Sequence, residues 1–221
     1  TLIGGLAGDA LTDADYNTAI GFQSLTTDTL GSRSTAVGYN SLANQNFTSA
    51  TTVYNTAVGF NAGFLITTGT QNTLIGGLAG DAITTASSNT AVGFDALTAT
   101  TTGANNTASG TYALASNTTG ANNVSMGYNS LGANTTASNN TSVGFRSLQA
   151  NTTGVQNTAV GANALDANTT GTNNVAIGKS ALSLDTLGAR SVAVGVGALE
   201  NQNFTSTTTT GNTAIGFTAL Q

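Results

Sequence analysis

The chain contains no cysteine, histidine, proline or tryptophan, and these absences narrow its chemistry. Without histidine or cysteine it lacks the commonest general base, the usual activated nucleophile and the standard zinc ligands. Enzymatic and metal-centred functions therefore have little to start from, and no catalytic residue, metal site or cofactor is expected. Charge is equally scarce. Four Lys/Arg and nine Asp/Glu residues make up 6% of 221 residues, against about a quarter in ordinary soluble domains. Water must be met by Thr, Asn, Ser and Gly instead. A net charge of −5 with only Arg33, Arg146, Lys179 and Arg190 as cations leaves no electropositive footprint for nucleic acid. No apolar run approaches the ~20 residues that span a bilayer, and no basic leader with an apolar core opens the sequence. The lack of cysteine does not indicate a compartment.

What the chain has instead is a period. Aligned on the glycine of N-T-A-V-G, the bends fall at 4, 21, 38, 59, 76, 93, 110, 127, 144, 161, 178, 195 and 216. The interval is 17 in ten of twelve cases and 21 in the other two, Gly38 to Gly59 and Gly195 to Gly216. Four residues before the glycine stands Asn in ten of twelve coils, with Ser34 and Ser191 the exceptions. Directly before it stands Val, Ile or Met in twelve of thirteen, broken at Ser109. Three residues after it every coil has Ala or Ser, and four after it ten of thirteen have Leu, the others being Gly8, Gly63 and Gly80. Composition alone resembles a disordered polar tract, but such columns require equivalent, stacked environments.

The expected fold is an all-β parallel β-solenoid. It comprises thirteen coils, two of them enlarged, in a single array over residues 1–221. Val, Ile, Thr, Phe and Tyr favour strands, and Gly, Asn and Ser clusters favour turns. Each coil is read as two strands, N-T-A-V and F-x-A-L, joined at the glycine and closed by a polar return such as A-N-T-T-G-x-N. Frequent glycine and dense β-branching argue against helix. The glycine column marks φ > 0 or close backbone approach. Asn is expected to bond amide to amide up the stack, and the Leu and Val/Ile columns to fill the lumen. Both parities of N-T-A-V are apolar or small, which suits a strand buried on both faces. A thin coil also buries little area alone. Both points favour a homo-oligomer, with a monomer exposing an Ala/Thr face as the alternative.

The columns N-[TSV]-[AV]-[VI]-G-x-x-[AS]-L, for example Asn174-Val175-Ala176-Ile177-Gly178-Lys179-Ser180-Ala181-Leu182, resemble the head repeat of YadA-like trimeric autotransporter adhesins. They are also similar to N-T-A-V-G arrays in tail fibres of bacterial viruses, notably marine ones, and the N-T-T-G return is closer to that second group. The resemblance implies a left-handed β-roll, three chains packed side by side, and an extracellular place on a virion tail fibre or bacterial surface. The sequence departs from the adhesin head in its coil length and in having Thr where the head often has Val.

Residues 28–49 reappear at 185–206, and Thr1-Leu2-Ile3-Gly4-Gly5-Leu6 reappears from Thr73. A longer block is thus duplicated on top of the coil repeat. The array begins and ends inside a coil, at Thr1 and Gln221, without a polar capping element, and solenoids normally need caps, so a segment of a longer fibre is expected, or else a subunit that stacks head to tail into a filament. The two insertions share N-Q-N-F-T-S and make Asn46, Phe47, Asn203 and Phe204 candidates for surface recognition. In the competing reading the Phe folds back over the widened coil. Asp9, Asp13 and Asp15 read as a solvated acidic turn rather than a calcium loop, because defined ligand spacing is missing. Ile3-Gly4-Gly5-Leu6-Ala7-Gly8 lacks the Lys and helix of a phosphate loop. Sequons such as Asn117-Thr118-Thr119 are by-products of the return. Three functions compete. The first is a structural fibre or stalk whose partner is itself. The second is an adhesin that binds host glycan or protein through lateral loops, and the third an ice-binding solenoid.

Overall fold

The computed structural model describes residues 1–204, 206, 208, 209 and 211–221, with the backbone alone at 208. Thirteen short strands, one per coil, form a single parallel sheet in which every neighbour is the adjacent coil. Register is kept column on column: Thr18 faces Thr35, Ala19 faces Ala36 and Ile20 faces Val37. The four-residue insertion leaves it undisturbed, since Thr35, Ala36 and Val37 face Thr56, Ala57 and Val58. This is a β-solenoid. Each enlarged coil adds a small parallel pair with the coil before it, Thr51–Thr52 on Gly31–Ser32 and Thr208–Thr209 on Gly188–Ala189.

Two expectations are corrected. The F-x-A-L side is not a strand. Residues two and four after each bend glycine have φ > 0, as at Asn129 (50°) and Leu131 (51°), so the backbone winds tightly around a narrow lumen. Its N–H groups still bond between coils, in alternating directions: Asn129 to Thr111 O at 3.0 Å in the coil before, and Leu131 to Ser147 O at 3.0 Å in the coil after. A left-handed conformation costs a non-glycine residue about 1–2 kcal/mol. Burial of a Leu side chain contributes about 1.5–3 kcal/mol, and the lumen leucines Leu97, Leu114, Leu131, Leu148 and Leu165 are fully buried.

The second correction concerns parity in N-T-A-V. The alanine points inward: Ala36, Ala57, Ala91 and Ala159 have no exposed surface. The Val/Ile column points outward, with Val58, Ile75, Val92 and Ile177 at 36–41% exposure. The reason is volume. Where Leu enters the lumen from the opposite side, the strand supplies only Ala or Ser, and where Gly63 and Gly80 replace that Leu, Leu74 fills the space from the strand.

The coils that break the Leu column show the same constraint. Where Gly8, Gly63 or Gly80 replaces Leu, the residue three positions on is aliphatic: Leu11, Ile66 or Ile83. Where Leu is present, that position is polar, as at Asp28, Gln45, Thr100, Asn117 and Asn134. A Cβ on Gly80 would lie 2.8 Å from Ile83 Cδ1 and 2.8 Å from Leu74 Cδ2, so those side chains occupy the space a leucine would take. A coupled effect follows. Leu97→Gly should destabilise by roughly 3–5 kcal/mol through a lumen cavity. Adding Thr100→Ile should restore about 1–2 kcal/mol, and a double-mutant cycle in urea reads the coupling. Strict additivity of the two changes would disprove the compensation.

Candidate functional site

A polar spine runs beside the apolar lumen. Asn106 shows its unit: Nδ2 donates to Gly120 O (2.9 Å) and Asn89 Oδ1 (3.2 Å), and Oδ1 accepts the N–H of Asn123 (3.0 Å). The asparagine column thus bonds both along the stack and across the coil to the return segment. Asn117, Asn134, Asn151 and Asn168 form a second amide ladder, with Nδ2 to Oδ1 distances of 2.8, 3.1 and 2.9 Å. That ladder ends where Asp185 follows, and Asn168 Oδ1 is its unpaired terminal acceptor.

The two serines that interrupt the asparagine column are explained by the insertions. Gln45 Nε2 donates to Ser34 Oγ at 3.1 Å, and its Oε1 accepts from Asn55 Nδ2 at 2.8 Å. Gln202 does the same with Ser191 (3.2 Å) and Asn212 (2.7 Å). Each glutamine is held in turn by a carboxylate in the preceding coil. Asp28 accepts from Gln45 Nε2 (2.5 Å), Gly31 N (3.0 Å) and Phe47 N (3.1 Å). Asp185 accepts from Gln202 Nε2 (2.6 Å), Gly188 N (3.0 Å) and Phe204 N (3.3 Å). Asp28 and Asp185 are fully buried, and burial of a charge is tolerated where hydrogen bonds replace water. The signal was present in the sequence, because Asp28 and Gln45 stand 17 residues apart and recur in the duplicated block.

The recognition candidates divide. Phe47 is 7% exposed, so its ring covers the widened coil and has no face free for a ligand. Asn46 is half-buried and its Oδ1 accepts from Thr29 Oγ1 at 3.3 Å. Asn203 is exposed and Phe204 half-buried, and Asn203 Oδ1 accepts from Thr186 Oγ1 at 3.1 Å. Within the second insertion, residues 205, 207 and 210 lie outside the described set. Both loops are therefore anchored alike at their first residues, and the available surface of the first is Thr48, Ser49 and Ala50, all exposed.

The outward face carries the more extensive feature. The exposed Val/Ile column runs beside an aromatic column on the other side of the bend glycines. Phe22, Tyr39 and Phe60 stack at 5.7 and 5.5 Å with interplanar angles of 16° and 10°. After a break at Gly77, Phe94, Tyr112 and Tyr128 meet edge to face at 5.9 and 6.0 Å, and Tyr128 stacks on Phe145 at 5.6 Å. These rings are 38–55% exposed. In the stacked set Phe22, Tyr39 and Phe60 and the pair Tyr128 and Phe145 the rings turn faces to each other, which leaves less face for stacking a sugar and suits packing against another apolar surface.

The remaining candidates hold no site. Asp9, Asp13 and Asp15 are exposed, and among the described residues no group of His, Cys, Asp and Glu is placed to hold a metal. Gly4 belongs to the bend column and no helix follows it. The sequon residues Asn117 and Asn151 are fully buried. Asp95 has its pKa raised by burial and by the neighbouring Asp81 carboxylate. Asp166 is raised by burial, opposed by the N–H groups of Asp166 and Ala167 and by Arg146. No described helix is long and apolar enough to cross a membrane. No family model, curated protein or solved structure matches the chain.

Proposed function

We propose that this chain is a rigid, non-enzymatic rod segment of an extracellular attachment fibre, a virion tail fibre or bacterial surface appendage, and that three copies pack side by side along the rod axis. The observation that carries this reading is the outward pair of columns, Val/Ile and aromatic, left 36–55% exposed on a coil whose lumen is already filled. Monomeric proteins rarely leave so long a contiguous apolar stripe uncovered. A partner presenting the same column spacing is a second copy of the same repeat. The resemblance to adhesin heads and tail-fibre arrays supports the same use.

Ice binding is less well supported. The first threonine of each return spends its hydroxyl on the backbone, as when Thr101 Oγ1 donates to Thr118 O at 3.2 Å and Thr135 Oγ1 to Thr152 O at 3.1 Å. The second, as at Thr119, Thr136 and Thr153, is exposed but stands in single file and not in a paired Thr-x-Thr rank.

Sedimentation equilibrium tests the assembly. The expected mass is three times the 21.7 kDa of the chain, falling to one chain when Val92→Lys and Val160→Lys place charges on the outward column. Circular dichroism should show the β signal retained in that variant. A wild-type protein that sediments as a monomer at micromolar concentration would refute the proposal.

A further inference from the structure

We propose that Arg33, clamped between Tyr16 and Tyr54, is a binding site for the carboxylate of an acidic saccharide. The three residues occupy one column, five positions before the bend glycines Gly21, Gly38 and Gly59. All have φ > 0 (61°, 67° and 58°), and all are exposed. The guanidinium carbon lies 5.1 Å from the Tyr16 ring centre and 5.9 Å from that of Tyr54, both within cation–π range. A long, flexible side chain is thereby held in one orientation before any ligand arrives, which reduces the entropy lost on binding.

The guanidinium has rings on either side and, among the described residues, no ion pair or hydrogen bond of its own. Arg146 differs, since it lies close enough to Asp166 to lower that carboxyl's pKa. Five N–H donors in a planar fork, left unpaired and fixed, match the two oxygens of a carboxylate. The phenol hydroxyls and ring edges on both sides suit the hydroxyls and C–H faces of a sugar. Thr51–Thr52 of the expanded coil pairs with Gly31–Ser32 immediately before Arg33, and on the other side Arg33 N donates to Asp15 O at 3.0 Å. The backbone of the three coils thus fixes where the stack stands, and Phe47 takes no part in it.

The duplicated block supplies an internal control. Arg190 occupies the same column in the copy, but its neighbours there are Asn173 and Gly211, so no rings hold it. The site is a property of the first copy alone.

Isothermal titration of the full chain with a galacturonate trisaccharide tests the assignment, with the neutral galactose trisaccharide and a sulfated trisaccharide as comparison ligands. Binding of the uronate is expected. Arg33→Gln should weaken it at least tenfold, Tyr54→Ala several-fold, and Arg190→Gln not at all. Sedimentation on the same samples separates loss of binding from loss of assembly, since all three residues come from one chain. Four results would overturn the proposal: no uronate binding by the wild type, equal binding of the neutral sugar, tighter binding of the sulfated one, or an equal loss in Arg190→Gln.

Discussion

Asp28→Ala should destabilise the enlarged coil more than any other single side-chain truncation, by roughly 3–6 kcal/mol. The carboxylate is fully buried and accepts three donors, Gly31 N, Phe47 N and Gln45 Nε2. Truncation leaves Gly31 N and Phe47 N without an acceptor and Gln45 Nε2 with Ser34 Oγ alone, in a fully buried site and at about 1–3 kcal/mol for each buried unsatisfied group. The damage also spreads, because Gln45 holds Ser34 Oγ and Asn55 Nδ2, and Asn55 begins the next stretch of the polar spine. Asp28→Asn should cost less, about 1–2 kcal/mol. It keeps an oxygen for the two backbone donors but sets an amide nitrogen against Gln45 Nε2. Urea denaturation would give the size of the effect. Hydrogen exchange should show its place: faster exchange at Phe47 and Val53 while the strand amides of Val124–Met126 stay protected. A loss below 1 kcal/mol would mean that the carboxylate is dispensable to the widened coil.

Gly127→Ala is the second change with a large expected effect, roughly 3–5 kcal/mol. Gly127 has φ of 133°, a region essentially closed to residues with a Cβ. An added Cβ would also lie 2.5 Å from Gly144 O and 2.7 Å from Gly144 C. Both atoms are backbone and neither has a rotamer to move aside. Coil separation at this point is fixed by Gly127 N to Ser109 O and Gly144 N to Met126 O, each 2.8 Å, so the methyl relieves its clash only by parting two coils. Repeat stacks depend on nearest-neighbour interfaces, and the expected outcome is a split transition in which the halves on either side of Gly127 melt separately. Gly77→Ala is the control. Its Cβ would sit 3.5 Å from Phe94 Cδ2, an ordinary contact, and its stability should change by less than about 0.5 kcal/mol. Equal losses in the two variants would remove the steric argument.

Much of this architecture is legible in the chain because the repeat makes each position visible many times. The period, the parallel stacking, the asparagine ladder and the glycine bend all follow from which residues recur at a fixed offset. The two departures from expectation have one origin. Ala and Val in N-T-A-V are both apolar, so hydrophobicity alone does not decide which faces inward. The larger residue is expected in the lumen, but Leu fills the lumen from the other side. The F-x-A-L segment departs from a strand for a related reason. Its residue types favour strands, but a left-handed turn at Leu131 is imposed by the need to close a coil of 17 residues, not by local propensity.

The candidate sites divide along the same line. Phe47 looks like an exposed loop aromatic in sequence, and only the fold shows that its N–H is tied to a buried carboxylate 19 residues earlier. Tyr16, Arg33 and Tyr54 share a column of the repeat, and what the sequence leaves open is the side-chain orientation that sets both rings against the guanidinium.

The sequence by itself determined the period, the columns and hence the stacking of like on like, since equivalent residues at equal spacing have one way to meet. The tertiary structure decided which side of each column faces the lumen, which polar groups pair across coils and which rings flank a cation. Those outcomes depend on how much volume remains inside a closed coil and on atoms brought together from opposite walls, and neither quantity is carried by any one segment.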